Sequence, residues 1–215
     1  AERAATRGDA PIVTGIVLVR GPVSPSRPFT FDELALGTDL FVLEPPAPGG
    51  ALRNLTASAH QGPADVRDPA VRHDGERIAF AMRRSADEAH QIWEIAVDGS
   101  GLRQLTHDDE RAPGGGHVAN VQPTYGPDGR VYFVSTRTGH LADGMGQLDT
   151  EIWAVSPADG ALERITHDPA PEATPVFFGV GKSYGTLAFT VLRTTPAGQH
   201  GVAFRMPLDH NKHYH

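Results

Sequence analysis

Histidine is the residue type on which chemistry would most readily be built here: the chain carries 11 histidines, 26 acidic residues and no cysteine. Imidazoles beside carboxylates can ligate a transition metal, hold an anion or titrate near neutrality. His107-Asp108 and His167-Asp168 each follow a Leu/Ile-Thr pair, which would bring two imidazoles to a common rim. The same spelling suits a turn, with Asp accepting a backbone N–H and His solvated beside it. His210, His213 and His215 form a candidate chelating tail, since imidazoles three residues apart can converge on one ion; a frayed tail is the plain alternative. Asp143 to Asp149 has the oxygen-rich composition of a calcium loop without its Asp-x-Asp-x-Asp-Gly spacing, which also describes an ordinary loop.

Other chemistries are excluded within these residues. Without cysteine there is no thiolate nucleophile and no Cys-x-x-Cys-His haem attachment. Gly-x-Ser-x-Gly, the Gly-x-x-x-x-Gly-Lys-Ser/Thr phosphate loop and His-Glu-x-x-His are all missing. No catalytic residue and no cofactor is therefore assigned.

The elements that must position these side chains are repeats. Ala51-Leu-Arg-Asn-Leu-Thr56, Gly101-Leu-Arg-Gln-Leu-Thr106 and Ala161-Leu-Glu-Arg-Ile-Thr166 share one pattern. Pro69, Pro123 and Pro175 open short apolar runs, and Asp74-Gly75 and Asp128-Gly129 mark turns. Runs centred on Phe80, Phe133 and Phe189 follow, then Ile92-Trp93 and Ile152-Trp153. Self-similarity at this period signals stacked supersecondary units. The best copy spells strands at 68–72, 77–83, 91–97 and 102–106, with Pro69 near the start of its strand, where no ladder donor is required. Four antiparallel strands per repeat make the sheet of a β-propeller blade.

Units fall at about 12–56, 67–106, 121–166 and 173–206, the first without a leading strand and the last without a Leu-Thr strand. The expected fold is all-β, with four-stranded antiparallel blades in an incomplete ring or arc of about four; a closed four-bladed ring is the alternative. Residues 1–215 are expected to form one partial propeller domain, part of a longer chain.

The order of Pro, Asp-Gly, Phe, Ile-Trp, Asp-Gly and Leu-Thr in 67–106 and 121–166 resembles the blade of TolB-like propellers. It is also similar to the propeller region of hydrazine synthase alpha-type proteins. The first resemblance implies a bacterial periplasmic or extracellular location and a non-catalytic role in docking other protein subunits. The histidines and the incomplete ring support an alternative, a ligand- or metal-binding propeller portion of a larger enzyme, redox enzymes included; the second resemblance does not bring haem chemistry with it.

Composition narrows the partners. A net charge of -7 argues against nucleic acid or an anionic membrane surface. No apolar run approaches the ~18–20 residues that span a bilayer. Ala1 to Thr6 could be a mature terminus after removal of a signal peptide. The 24 glycines and 18 prolines fit many short strands joined by turns.

In an up-and-down blade, the links between strands two and three and the links to the next blade emerge on one face. Here these are long and polar, at 21–38, 57–65, 107–119 and 137–150, and they hold or adjoin His60, His90, His107, His117, His140, His167 and His200. Opposite them lie tight Asp-Gly reversals. A partner protein is therefore expected to contact His107, His117, His140 and Asp143. Trp93 and Trp153 are expected to pack between blades, and Arg83, Arg84 and Arg137 to hydrogen bond between them.

Overall fold

The computed structural model describes residues 13–22, 35–107, 117–142, 148–168, 170–178 and 185–208. These residues contain strands and no helix. The first sheet holds β1 (Ile16–Arg20), β2 (Asp39–Glu44) and β3 (Ala51–Asn54). The second holds β4 (Asp65–Val71), β5 (Arg77–Arg83), β6 (Gln91–Ala96) and β7 (Arg103–Gln104). The third holds β8 (Asn120–Tyr125), β9 (Val131–Ser135), β10 (Glu151–Val155) and β11 (Leu162–Arg164). The fourth holds β12 (Glu172–Phe177), β13 (Thr186–Thr195) and β14 (Gly198–Pro207). Every pairing is antiparallel between strands consecutive in the chain. The inner strands β1, β4, β8 and β12 meet in that order, and the fourth sheet does not return to the first, so the ring is not closed.

Two local devices recur in each complete blade. Asp74, Asp98, Asp128 and Asp159 each accept, through Oδ1, the backbone N–H two residues on, at 3.0, 2.8, 3.2 and 3.1 Å. The residue that follows is left-handed, a conformation glycine adopts without steric cost, at Gly75 with φ 75° and Gly129 with φ 82°. The second device explains the repeated threonine. Thr56, Thr106 and Thr166 accept from the N–H of Leu40, Ile92 and Ile152 at 3.0, 2.9 and 2.9 Å, latching each fourth strand to the third. Thr106→Val would leave the buried Ile92 amide without this acceptor, and should cost about 1–3 kcal/mol. A urea midpoint lowered at unchanged slope is the expected reading, and an unshifted midpoint would dismiss the latch.

The prolines sit elsewhere than expected. Inner strands begin before them, at Asp65, Asn120 and Glu172, and Pro69, Pro123 and Pro175 lie inside the strands at bulges. The preceding Asp68, Gln122 and Thr174 adopt φ of 55°, 53° and 53°, in the left-handed region uncommon for such residues. Their bonds run from blade to blade. Gln122 N–H donates to Asp68 Oδ2 at 3.1 Å, and Thr174 N–H to Gln122 Oε1 at 2.6 Å.

Apolar clusters fill each gap between sheets. Leu40 and Val42 of the first sheet meet Ile78, Phe80, Trp93 and Ile95 of the second. Ala79, Ala81, Ile92 and Leu105 meet Val131, Phe133 and Val155, with Trp153 packed against them. Tyr132, Ile152 and Ala154 meet Leu187, with Phe189 and Met206 alongside. Trp93 pairs with Phe80 and Trp153 with Phe133, so the two tryptophans occupy equivalent inter-blade places.

Candidate functional site

Each link between blades enters the next inner strand through a buried polar residue: Asp65, Asn120 or Glu172. Asp65 Oδ2 accepts from the Ala35 N–H at 3.0 Å and from Arg67 at 2.6 Å, and His90 Nε2 stands 3.4 Å away. Burial alone would raise this carboxyl, but His90, Arg67 and the Ala35 N–H hold it far below the usual carboxylate range. Burial lowers the pKa of His90, and the Asp65 contact opposes it in part. Asn120 Nδ2 donates to Gln91 Oε1 at 2.8 Å, and Gln91 Nε2 donates to the Val118 carbonyl at 2.9 Å. Glu172 Oε2 accepts from the Ile152 N–H at 3.2 Å and from the Thr166 hydroxyl. Burial, reinforced by Glu151 and Asp168, outweighs those bonds and pushes Glu172 up to about 8. Composition and spacing gave no hint of this buried polar layer, whose members differ chemically from blade to blade. The signal available was position: Asn120 and Glu172 stand three residues before a Pro, and Asp65 stands one residue further back.

Above this layer the links expose His107, His117 and His140. His117 precedes β8, and Ala119 N–H donates to Thr136 Oγ1 at 2.9 Å, which ties this segment to the end of β9. His140 follows β9, and its carbonyl accepts from the Asp149 N–H at 2.8 Å. Leu141 and Leu148 bridge beside it, so these two histidines flank the same end of the third sheet. Burial and the neighbouring Asp168 raise Asp149 to about 6. His107 follows β7 and borders a 270 Å³ groove with Arg137 and Leu162. Asp143, Asp108, Asp109, His210, His213 and His215 lie outside the described residues.

Other expectations change. Asp168 caps a turn by accepting the Ala170 N–H at 3.0 Å and pairs with Arg193 at 2.9 Å, so it fits the turn reading of His167-Asp168. His200 lies within β14 opposite Arg193, because β13 and β14 form a tight hairpin in place of a long link. Arg83 donates to the carbonyls of Ser85 and Ala86 inside its own loop, and Arg84 pairs with Glu88 at 2.9 Å, so neither bridges blades through these bonds. Arg84, Arg137 and Arg193 instead stand over Trp93, Trp153 and Phe204 at 5.5, 5.5 and 5.6 Å from the ring centres. Each arginine comes four residues after Phe80, Phe133 or Phe189, a repeat that was available in the sequence and brings in Arg193. Among the described residues no group of three or more His, Asp or Glu side chains could hold a metal ion.

Four antiparallel sheets whose inner strands follow one another define an open arc of β-propeller blades. The chain is 36% identical over 141 residues, 63% of its length, to the Tol-Pal system protein TolB of Bordetella pertussis (strain Tohama I). It spans 31% of the length of that relative. Over 43 residues, 20% of this chain and 5% of the relative, it is 46% identical to hydrazine synthase subunit alpha of Kuenenia stuttgartiensis. The solved hydrazine synthase of that organism matches 85% of this chain and 28% of its own, with a TM-score of 0.62 at 16% identity. A putative TolB from Agrobacterium tumefaciens matches over 72% of this chain and 46% of its own, with a TM-score of 0.52 at 22% identity. No family model matches the chain.

Proposed function

We propose that this chain is a non-catalytic propeller module that docks other protein subunits in a bacterial periplasmic or exported complex. The proposal includes its being one partial propeller domain of a longer protein. The open ring and the span of only 31% of the TolB relative support the latter. The observation that carries the docking reading is the asymmetry of the two faces. Exposed His107, His117 and His140 stand on the face of the long links, whereas Asp-Gly reversals close the other. Asp143 belongs to the same proposed surface.

Binding to subunits from a periplasmic extract tests this, with cross-linking and mass spectrometry to map the contact. Joint alanine replacement of His107, His117 and His140 is expected to weaken capture about fivefold or more, the loss of one to two exposed polar contacts. The far-ultraviolet circular dichroism should stay unchanged. Cross-links confined to Asp74-Gly75, Asp98-Gly99 and Asp128-Gly129 would move the surface to the opposite face.

A second reading, the ligand- or metal-binding portion of a larger redox enzyme, is favoured by the 46% identity to hydrazine synthase subunit alpha. Its metal candidates are His210, His213 and His215. Zinc or copper titration that is lost on replacing these three residues would support it.

A further inference from the structure

Three strands open on a polar residue that carries an acceptor oxygen: Asp39 in β2, Gln91 in β6 and Glu151 in β10. At the first two blade boundaries the chain entering the next blade brings a side-chain nitrogen to that oxygen. His60 Nε2 stands 2.9 Å from Asp39 Oδ1, and Asn120 Nδ2 donates to Gln91 Oε1 at 2.8 Å. The latch threonines add a second bond, Thr56 and Thr106 donating through their hydroxyls to the same oxygens at 2.7 and 2.8 Å.

The third boundary departs from this pattern. Glu151 takes the place of Gln91, each preceding Ile-Trp, and Glu172 takes that of Asn120. The backbone agrees, since the Asn120 amide donates to the His90 carbonyl at 2.8 Å and the Glu172 amide to the Thr150 carbonyl at 2.9 Å. Both glutamates are 1% exposed. Arg164 donates to Glu151 Oε1, and the Thr166 hydroxyl turns to Glu172 Oε2. Glu151 Oε2 is buried and, among the described residues, meets no donor. Two ionised carboxylates have no hydrogen to exchange, so they cannot repeat the amide–amide bond of the middle boundary; a single proton can. Arg164 balances one negative charge at this place, and a second buried carboxylate would go uncompensated.

We propose that Glu151 and Glu172 share one proton, carried on Glu172 Oε1 and donated to Glu151 Oε2, as a clasp between the third and fourth sheets. Burial raises both carboxyls from their ordinary values, Glu172 to about 8, in keeping with one acid and one carboxylate. Asp149 and His140 face the pair from the link before β10, and Asp168 from beyond β11. On the fourth sheet Arg193 is engaged by Asp168 at 2.9 Å, and Arg205 lines the same groove as Glu172 and His167. Thr150 bonds Glu172 through its carbonyl and its hydroxyl, so the clasp fixes the point at which the link bearing His140 meets β12. Loss of the proton sets two carboxylates against each other and loosens that point. The inference is independent of the docking reading.

Carboxyl carbon-13 NMR of the whole 215-residue chain, labelled at glutamate and titrated with pH, is the test. One glutamate should titrate well above the others, vanish in Glu172→Gln, and move down by about one pH unit or more in Glu151→Gln, whose amide can donate to an ionised Glu172. The new side-chain amide in Glu172→Gln should show one N–H protected from exchange, as the donor to Glu151 Oε2. The Leu192 amide donates to the Pro171 carbonyl at 2.8 Å beside the clasp. Its exchange protection should fall about tenfold or more between pH 6 and pH 9 in the parent. In the double variant E151Q/E172N, which installs the pair of the middle boundary, that protection should stay level. A Glu172 that titrates with the other glutamates, or whose titration is unchanged in Glu151→Gln, would overturn the proposal. So would calcium raising the melting temperature of the parent but not of Glu172→Gln at pH 9, since a cation would then occupy the place given to the proton.

Discussion

Trp93→Ala is expected to destabilise the fold by about 3–5 kcal/mol, the range for deleting a large aromatic ring from a packed interior. The indole lies in the gap between the first and second sheets, against Leu40, Val42, Phe80 and Ile95, and is 9% exposed. It bridges two sheets, so its removal leaves a void that neither sheet can close without moving its own strands. The Arg84 guanidinium, 5.5 Å from the ring, contributes the smaller part, and Arg84→Met should cost only about 0.5–1 kcal/mol. Trp93→Phe should fall between the two, since the fourth sheet places Phe204 at the same register. Urea unfolding followed by circular dichroism checks the series. A loss below about 1 kcal/mol for Trp93→Ala would show that this residue does not seal the blade boundary.

Glu172 should make stability fall as pH rises. Its folded pKa, about 8, lies above the ordinary value of 4.5, so the folded chain holds a proton that the unfolded chain has released. The associated stability is fully present below pH 4.5 and is lost as pH rises through about 8. A difference of this size corresponds to at most about 5 kcal/mol, with the ionised form bearing the cost of a buried charge beside Glu151 and Asp168. Glu172→Gln keeps an acceptor for the Ile152 N–H and the Thr166 hydroxyl while removing the titration. The variant is expected to match the parent near pH 5 and to exceed it in melting temperature at pH 9, by about 5–10 °C. Equal pH profiles for parent and variant would mean that Glu172 is ionised at little cost in the folded protein.

The strand order was legible because each blade repeats its own grammar. Asp-Gly marks the reversals, Leu/Ile-Thr ends the fourth strand, and Trp93 and Trp153 mark the third. These signals are local: an Asx turn and a left-handed glycine are settled within four residues, and alternation along a strand reflects side chains pointing in turn to an apolar and a more polar face. The count of about four blades followed from the same repeats, which left a closed four-bladed ring as the alternative until the structure showed the ring open.

What only the tertiary structure decided lies where one blade touches another. That Pro69, Pro123 and Pro175 sit at bulges, with Asp68, Gln122 and Thr174 bonded from sheet to sheet, depends on residues more than 50 positions apart. The burial of Asp65, Asn120 and Glu172 was equally undecided by sequence, since an acid or amide entering a strand reads as solvated until the neighbouring blade covers it. The histidines show the converse. Their enrichment was plain, yet burial placed His90 in the interior and strand pairing placed His200 in β14, while His107, His117, His140 and His167 stay exposed. Local spelling determines a strand and its turns because the interactions that form them are near in the chain. Which polar group becomes buried, paired or displayed is set by long-range packing, because its solvation free energy depends on the neighbour that removes its water.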